Sequence, residues 1–418
     1  MGASLRGVTG LHRIRLVGAT LLGLVLVGCA GSGSTPSGES SRTTVSASAS
    51  PSASPTPVAD SGWQAWTASY PAEDGRCEAT AHQVVCRTGS GGFVGRSRST
   101  GRVTWSVPPA GRGKDADLVV DSASERAVTS SGATLSAADL RTGKTAWTRR
   151  LTGGSTYPVV LRVAEGTVYV LETPAEGMKI IPLAAFRMSD GRTLWHRGVA
   201  ADSYGDMAVF GGRVYTTDGT EVTARDARTG DTVATSAEGV ECPHLVSGGH
   251  YLVCTGSPIS AEDTFPPLRR LDPDTLRPLR TAEDTGQKPE RGVISSDGVL
   301  VLYEDSAEDP GGGSWNAYDL VHPKRLWSYA TTTEEAELAG DRFVTFTPVN
   351  DAPVRGRVIT IDLHAGPKAK GAAAARMSAP YAQARYGEYP RLVLPGGDPD
   401  HVVVQAATHR GLRSMPLP

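Results

Sequence analysis

The side chains that could do chemistry in this chain are few, and most are scattered. Five cysteines stand at positions 29, 77, 86, 242 and 254. A cysteine offers a nucleophilic thiolate, a metal ligand or half of a disulfide. Gly143-Lys144-Thr145 has the ending of a phosphate-cradling loop. Position 138 is Ala where that loop needs Gly, and the segment leads into an expected strand where the loop needs a helix. The acidic run Glu304-Asp305-Ser306-Ala307-Glu308-Asp309 offers oxygen ligands of the kind Ca²⁺ takes, but a Gly-flanked run of charge reads as an exposed loop. Asp398-Pro399-Asp400 reads as a turn. The nine histidines show no metal-ligand spacing, and Cys242-Pro243-His244 alone makes no zinc site. There is no Gly-x-Ser-x-Gly elbow, His-Glu-x-x-His helix or Cys-x-x-Cys-His haem site. The sequence therefore assigns no catalytic residue, no metal ligand and no cofactor.

Cys29 has a setting of its own. Arg6, His12, Arg13 and Arg15 form a positive segment, followed by the apolar run Leu16–Gly28. As a helix that run would rise about 20 Å, short of the ~30 Å hydrocarbon core, so it reads as the hydrophobic part of a signal peptide. Leu26-Val27-Gly28-Cys29 resembles the lipobox of bacterial lipoproteins. The resemblance implies that Cys29 takes a diacylglyceryl group, that residues 1–28 are removed, and that Cys29 becomes the mature N-terminus. Several acyl chains at ~0.8 kcal/mol per buried CH₂ anchor a protein stably. Residues 29–61 continue as a Ser-, Pro- and Ala-rich stretch with almost nothing apolar to bury. Such a segment cannot offset its conformational entropy, and it is expected to be a disordered tether.

The remaining four cysteines are an even number in an exported chain. Cys77 and Cys86 are symmetric about a turn at Ala81-His82, and Cys242 and Cys254 about Gly248. Residues opposed across a hairpin lie within disulfide reach. The expected bonds are Cys77–Cys86 and Cys242–Cys254, each between the first two strands of a repeat unit.

The elements that must position all of this repeat along the chain. Ala137-Ala138-Asp139-Leu140-Arg141-Thr142-Gly143-Lys144-Thr145-Ala146-Trp147 places Gly four and Trp eight residues after Asp. The frame returns at Ser97…Gly101…Trp105, Arg187…Gly191…Trp195, Asp226…Gly230…Ala234 and Asp319…Pro323…Trp327. Degenerate copies are Asp272…Leu276…Arg280 and Asp362…Gly366…Lys370. The intervals run from 39 to 48 residues, the length of a four-stranded propeller blade. The 49 Gly and 28 Pro, spread along the chain, fit many short strands with tight turns. Within one unit Pro158–Val163, Thr167–Leu171, Leu183–Met188 and Arg192–Arg197 read as successive strands. In the next, Asp206–Phe210, Arg213–Thr216, Glu221–Ala227 and Asp231–Thr235 repeat the plan.

This pattern resembles the repeat of the PQQ-binding-like, quinoprotein-type β-propellers over residues 62–418. The resemblance implies that Trp105, Trp147, Trp195 and Trp327 dock between neighbouring blades near the turn Gly. Three strands after the seventh unit, at 390–395, 401–406 and 411–416, lack a fourth, and an aromatic strand at 62–70 precedes the first unit. Joined, they make an eighth blade, and residues 62–418 shared among eight blades give about 45 each. The expected fold is an all-β, eight-bladed propeller closed by an N-terminal strand. Seven blades with a loose C-terminal flap is the alternative.

Quinoprotein dehydrogenases of sugars and alcohols, within the same resemblance, stack their quinone on adjacent cysteines or a Trp and surround Ca²⁺ with Asp, Asn and Glu. This chain has no adjacent cysteines and only two asparagines, Asn316 and Asn350. The expected function is that of a non-catalytic scaffold for a protein or envelope ligand, with a divergent quinone-dependent dehydrogenase as the alternative. In plan, lipid anchor then ring, the chain resembles the BamB-like outer-membrane-assembly lipoproteins. Seven Lys against 35 Arg is a bias expected of a high-G+C genome and fits an envelope of another type. A net charge of −2 leaves no excess of cations to neutralise phosphates, which excludes nucleic acid as a partner. The long second-to-third-strand loops Glu172–Pro182, Gly256–Pro267, Asp305–Gly313 and Pro348–Arg355 share one face, where the partner site is expected. The expected state is a monomer, lipid-anchored on the extracytoplasmic side of a bacterial membrane.

Overall fold

Runs such as Val84-Val85-Cys86, Thr167-Val168-Tyr169-Val170-Leu171 and Val299-Leu300-Val301-Leu302-Tyr303 are buried almost throughout. A strand apolar on both faces must be covered on both faces, and this chain covers each sheet with another sheet. The computed structural model of the 418-residue chain describes residues 63–69, 77–88, 92–107, 118–131, 133–151, 158–172, 180–200, 206–256, 268–281, 291–305, 312–347, 355–382, 390–394, 400–405 and 411–418. They form eight four-stranded antiparallel sheets and one short two-stranded ladder, Arg355–Gly356 with Tyr381–Ala382.

The eight sheets are the blades of an eight-bladed propeller. Blade 1 runs Cys77–Ala79, Gln83–Arg87, Phe93–Ser97, Val103–Val107. Blade 2 runs Leu118–Asp121, Arg126–Ser131, Thr134–Asp139, Thr145–Arg150. Blade 3 is Pro158–Ala164, Thr167–Glu172, Ile180–Arg187, Thr193–Ala200, and blade 4 is Asp206–Phe210, Arg213–Thr217, Val222–Asp226, Thr232–Thr235. Blade 5 comprises His244–Gly248, Tyr251–Thr255, Arg269–Leu271, Pro278–Leu279. Blade 6 comprises Gly292–Ile294, Val299–Asp305, Gly313–Asp319, Lys324–Thr331, and blade 7 Ala336–Ala339, Arg342–Phe346, Val358–Asp362, Arg376–Met377. The last blade is made from both ends of the chain. Arg391–Val393, His401–Gln405 and Gly411–Pro416 are completed by Trp66–Ser69, with Trp66 opposite Ser414 and Ser69 opposite Gly411.

First strands of successive blades neighbour one another around the axis, and fourth strands stand outermost. The core is divided accordingly into eight apolar clusters, one at each blade junction. Between blades 2 and 3, for example, Val128, Leu135 and Trp147 meet Leu161, Val168 and Phe186. Outer strands show the reverse of the inner pattern: in Thr145–Arg150 only Trp147 is buried.

Three details depart from the sequence reading. Arg280 does not take the Trp position of blade 5, because the outer strand ends at Leu279, which pairs with Arg270. Lys370 does not occupy the Trp position of blade 7, because a 3-10 turn at Gly371–Ala373 lengthens the last hairpin and Arg376 pairs with Thr360 there instead. Cys242 does not lie in a strand opposite Cys254: the blade 5 hairpin turns at Gly249-His250, Cys254 faces Leu245, and Cys242 precedes the first strand.

Candidate functional site: blade junctions and the axial mouth

In blades 1 to 7 the third hairpin closes on a turn whose geometry the repeat frame dictates. Asp139 Oδ1 accepts hydrogen bonds from the N–H groups of Arg141 and Thr142, and Gly143 N–H returns to the Asp139 carbonyl. Asp226, Asp272, Asp319 and Asp362 cap their turns in the same way. The carbonyl after this first frame position, whether Asp139, Arg187 or Asp226, points to the preceding blade. There the indole N–H of Trp147 donates to Met188 O at 2.8 Å, Trp195 to Ala227 O at 2.9 Å and Trp327 to Leu363 O at 2.7 Å. Trp105 reaches Leu140 O similarly. Each indole lies flat over the turn Gly, close enough that a Cβ on Gly191 would stand 2.5 Å from the ring of Trp147. Gly191 also holds φ +67, a region L side chains avoid.

A fifth Trp does the same work. Trp66 of the closing strand donates to Arg98 O at 2.6 Å and covers Gly101. Sequence reading left Trp66 unassigned because its frame is split between the chain's two ends; its signal is the turn Gly101, which needs an aromatic partner from the preceding blade.

Where Trp is absent, other donors reach the equivalent carbonyl. Tyr215 Oη and Arg213 Nη1 of blade 4 donate to Pro273 O of blade 5, at 3.2 and 2.8 Å. Arg270 of blade 5 donates to Leu320 O of blade 6 at 2.6 Å. Between blades 7 and 8, Thr360 Oγ1 donates at 3.0 Å to the main-chain oxygen of Pro418, one residue beyond the equivalent position at Leu417.

The four described cysteines form Cys77–Cys86 and Cys242–Cys254. Cys77 pairs directly with Cys86 between the first two strands of blade 1. Cys242 bridges instead to Gly219 of blade 4. Cys29, the signal segment, the tether and most residues of the four long loops lie outside the described residues. Glu304, from the acidic run, is buried and accepts a hydrogen bond from Tyr318 at 2.8 Å.

Charge gathers around the axis. A cavity of about 350 Å³ is lined by Glu78, Arg291, Glu334, Glu335, Glu337 and Arg391, with Cys77, Trp315 and Val393 among its apolar walls. These charged residues sit at or just before the starts of first strands in blades 1, 6, 7 and 8, the sheet edge from which blade-to-blade connections and second-to-third-strand loops depart. Arg291 pairs with Glu334 at 3.0 Å and lies 3.8 Å from Glu335. On the far side of the ring Asp206 binds three blades together: it takes the N–H of Leu245 at 3.1 Å and faces Arg162 at 3.5 Å and His244 at 3.8 Å. Burial alone would raise the Asp206 carboxyl. Hydrogen bonding with His244, the charge of Arg162 and the N–H groups of Leu245 and Met207 outweigh it and hold the carboxyl below the usual range.

A family model described as "Outer membrane protein assembly factor BamB" matches residues 57–207 and 182–369. No curated protein matches the chain significantly. Among solved structures, BamB from Moraxella catarrhalis is 14% identical, with a TM-score of 0.55 over 84% of this chain and 98% of that one. The quinohemoprotein alcohol dehydrogenase ADHIIG from Pseudomonas putida HK5 is 13% identical, with a TM-score of 0.54 over 84% of this chain and 76% of that one. The computationally designed protein Ika8 is 13% identical, with a TM-score of 0.59 over 85% and 98%. At these identities the likenesses carry the fold alone. The described residues do not fit a quinone with its divalent ion. Neither disulfide joins adjacent residues, the latch indoles are packed between blades, and no three of His, Cys, Asp or Glu gather among the described residues where they could hold a metal.

Proposed function

The chain belongs to the BamB-like family of PQQ-type β-propellers, and from that premise we propose that it is a non-catalytic binding scaffold, held by a lipid on Cys29 at the extracytoplasmic face of a bacterial membrane. The observation that carries the reading is the axial mouth. Four successive blades present six charged side chains around a cavity of about 350 Å³, at the same edge from which the long loops leave. Loops positioned by a rigid frame are where binding residues collect. A ring latched at each junction is such a frame. The partner is a protein or other ligand of the cell envelope, bound at the loop-bearing face by a monomeric ring. Residues 1–28 serve as the signal and residues 29–61 as the tether that spaces the ring from the bilayer.

The quinoprotein reading is tested by adding pyrroloquinoline quinone and Ca²⁺ to the dialysed protein and following dye reduction over a panel of sugars and alcohols. The scaffold reading predicts no turnover above the protein-free control. Robust turnover would replace it with a dehydrogenase.

A further inference from the structure

Blade 5 is held differently from the other seven. Trp latches join blades 8 to 1, 1 to 2, 2 to 3, 3 to 4 and 6 to 7. Every other blade therefore has a Trp latch on at least one side, and blade 5 has one on neither. At its junction with blade 4 the two partners have exchanged sizes. A latch indole lies 2.5–2.8 Å from where a Cβ would stand on Gly101, Gly143, Gly191, Gly230 or Gly366, so a Trp and a turn side chain cannot share the space. In blade 5 the turn residue is Leu276, fully buried, and blade 4 presents Ala234 against the same cluster. Leu276 fills from the turn what Trp fills elsewhere from the strand. It does so at φ +56, a left-handed conformation that L residues rarely adopt.

Towards blade 6 the latch is the guanidinium of Arg270, which donates to Leu320 O and lies 4.9 Å over the Tyr251 ring. Inside blade 5 the third and outer strands have 3 and 2 residues, against 8 and 8 in blade 3. Pro278 in the outer strand has no N–H to give the ladder. What ties the sector covalently is Cys242–Cys254, which fixes the chain entering the blade to its second strand.

We infer that blade 5 is the sector at which the ring opens, a conformational element kept shut by Cys242–Cys254 and the Leu276 wedge in place of Trp latches. It would open as a unit without disassembling blades 1 to 3, since cooperative units separate along their weakest junctions.

Hydrogen–deuterium exchange read by mass spectrometry on the full-length protein tests this. In the wild type, amides of Tyr251–Thr255 should exchange on the order of tenfold faster than those of the second strands of blades 2 and 3. Cys242→Ser with Cys254→Ser should speed exchange in blade 5 by roughly tenfold again while leaving blades 2 and 3 unchanged. Ala234→Trp alone should clash with Leu276 and speed it; Ala234→Trp with Leu276→Gly rebuilds the Trp–Gly pair and should slow it below wild type. Protection of Tyr251–Thr255 equal to that of Arg126–Ser131 in the wild type would overturn the inference. So would a double swap that exchanges no more slowly than Ala234→Trp.

Discussion

The indole of Trp147 does two things at one place: its ring covers Gly191, and its N–H satisfies the Met188 carbonyl. Truncation to Ala removes both and leaves a cavity, so Trp147→Ala should cost about 3–5 kcal/mol in chemical denaturation. Trp147→Phe keeps most of the area and leaves the carbonyl unpaired, for a loss of about 1–3 kcal/mol. Gly191→Ala puts a Cβ inside the ring's space at a positive φ and should fall nearer the first figure than the second. Asp206 makes a second prediction at this scale. Its carboxyl is held below the usual range, so its contribution is fully present above the unfolded value of about 3.9 and is lost as pH falls through the folded value. Asp206→Asn should therefore reduce stability at neutral pH and flatten the decline as pH falls below the unfolded value. An acid limb as steep as wild type would contradict this. The four Trp residues were legible because each stands eight residues after the first position of a recurring frame, although only Trp147 has the full Asp…Gly…Trp set. Tyr215 and Arg270 were not, because they reach the same carbonyl from other strands and share no spacing with it.

At the scale of elements the decisive join is antiparallel pairing between residues 66–69 and 411–414, more than three hundred positions apart. The repeat period and the leftover three strands made that closure readable without coordinates. Hairpin boundaries were readable too, since Ser189-Asp190-Gly191 and Arg228-Thr229-Gly230 announce their turns. The misplacements of Lys370, Arg280 and Cys242 arose where an added turn, a short outer strand or a shifted hairpin moves the register while the residue types stay plausible. Because Trp66 latches blade 8 to blade 1 and Trp63 donates to Ser414 at 2.8 Å, the closing strand is where ends and ring depend on each other. Trp66→Ala should lower the thermal midpoint by several degrees or more, consistent with losing about 3–5 kcal/mol from the whole ring. A change confined to residues 63–69 in hydrogen exchange, with an unaltered melting midpoint, would show that the strand is an ornament on a ring already closed.

At the scale of the molecule, the described residues place eight apolar clusters at eight junctions, so rigidity is distributed around the ring and charged side chains collect at the axial mouth. The mouth residues Arg291, Glu334, Glu335 and Arg391 escaped sequence reading because they come from three successive blades and have no motif in common. If Cys29 carries the lipid, Cys29→Ser should move the protein from the membrane fraction to the soluble extracytoplasmic fraction and abolish labelling by a radioactive fatty acid; retention in the membrane would refute the anchor. The central claim is that the loop-bearing face receives an envelope partner. A photo-crosslinking residue placed at Glu337 or Arg391, and in parallel at Arg141 or Asp231 on the opposite face, tests it in intact cells. The account predicts a discrete adduct from the first pair and none from the second. Equal adducts from both faces, or adducts from the second pair alone, would contradict it.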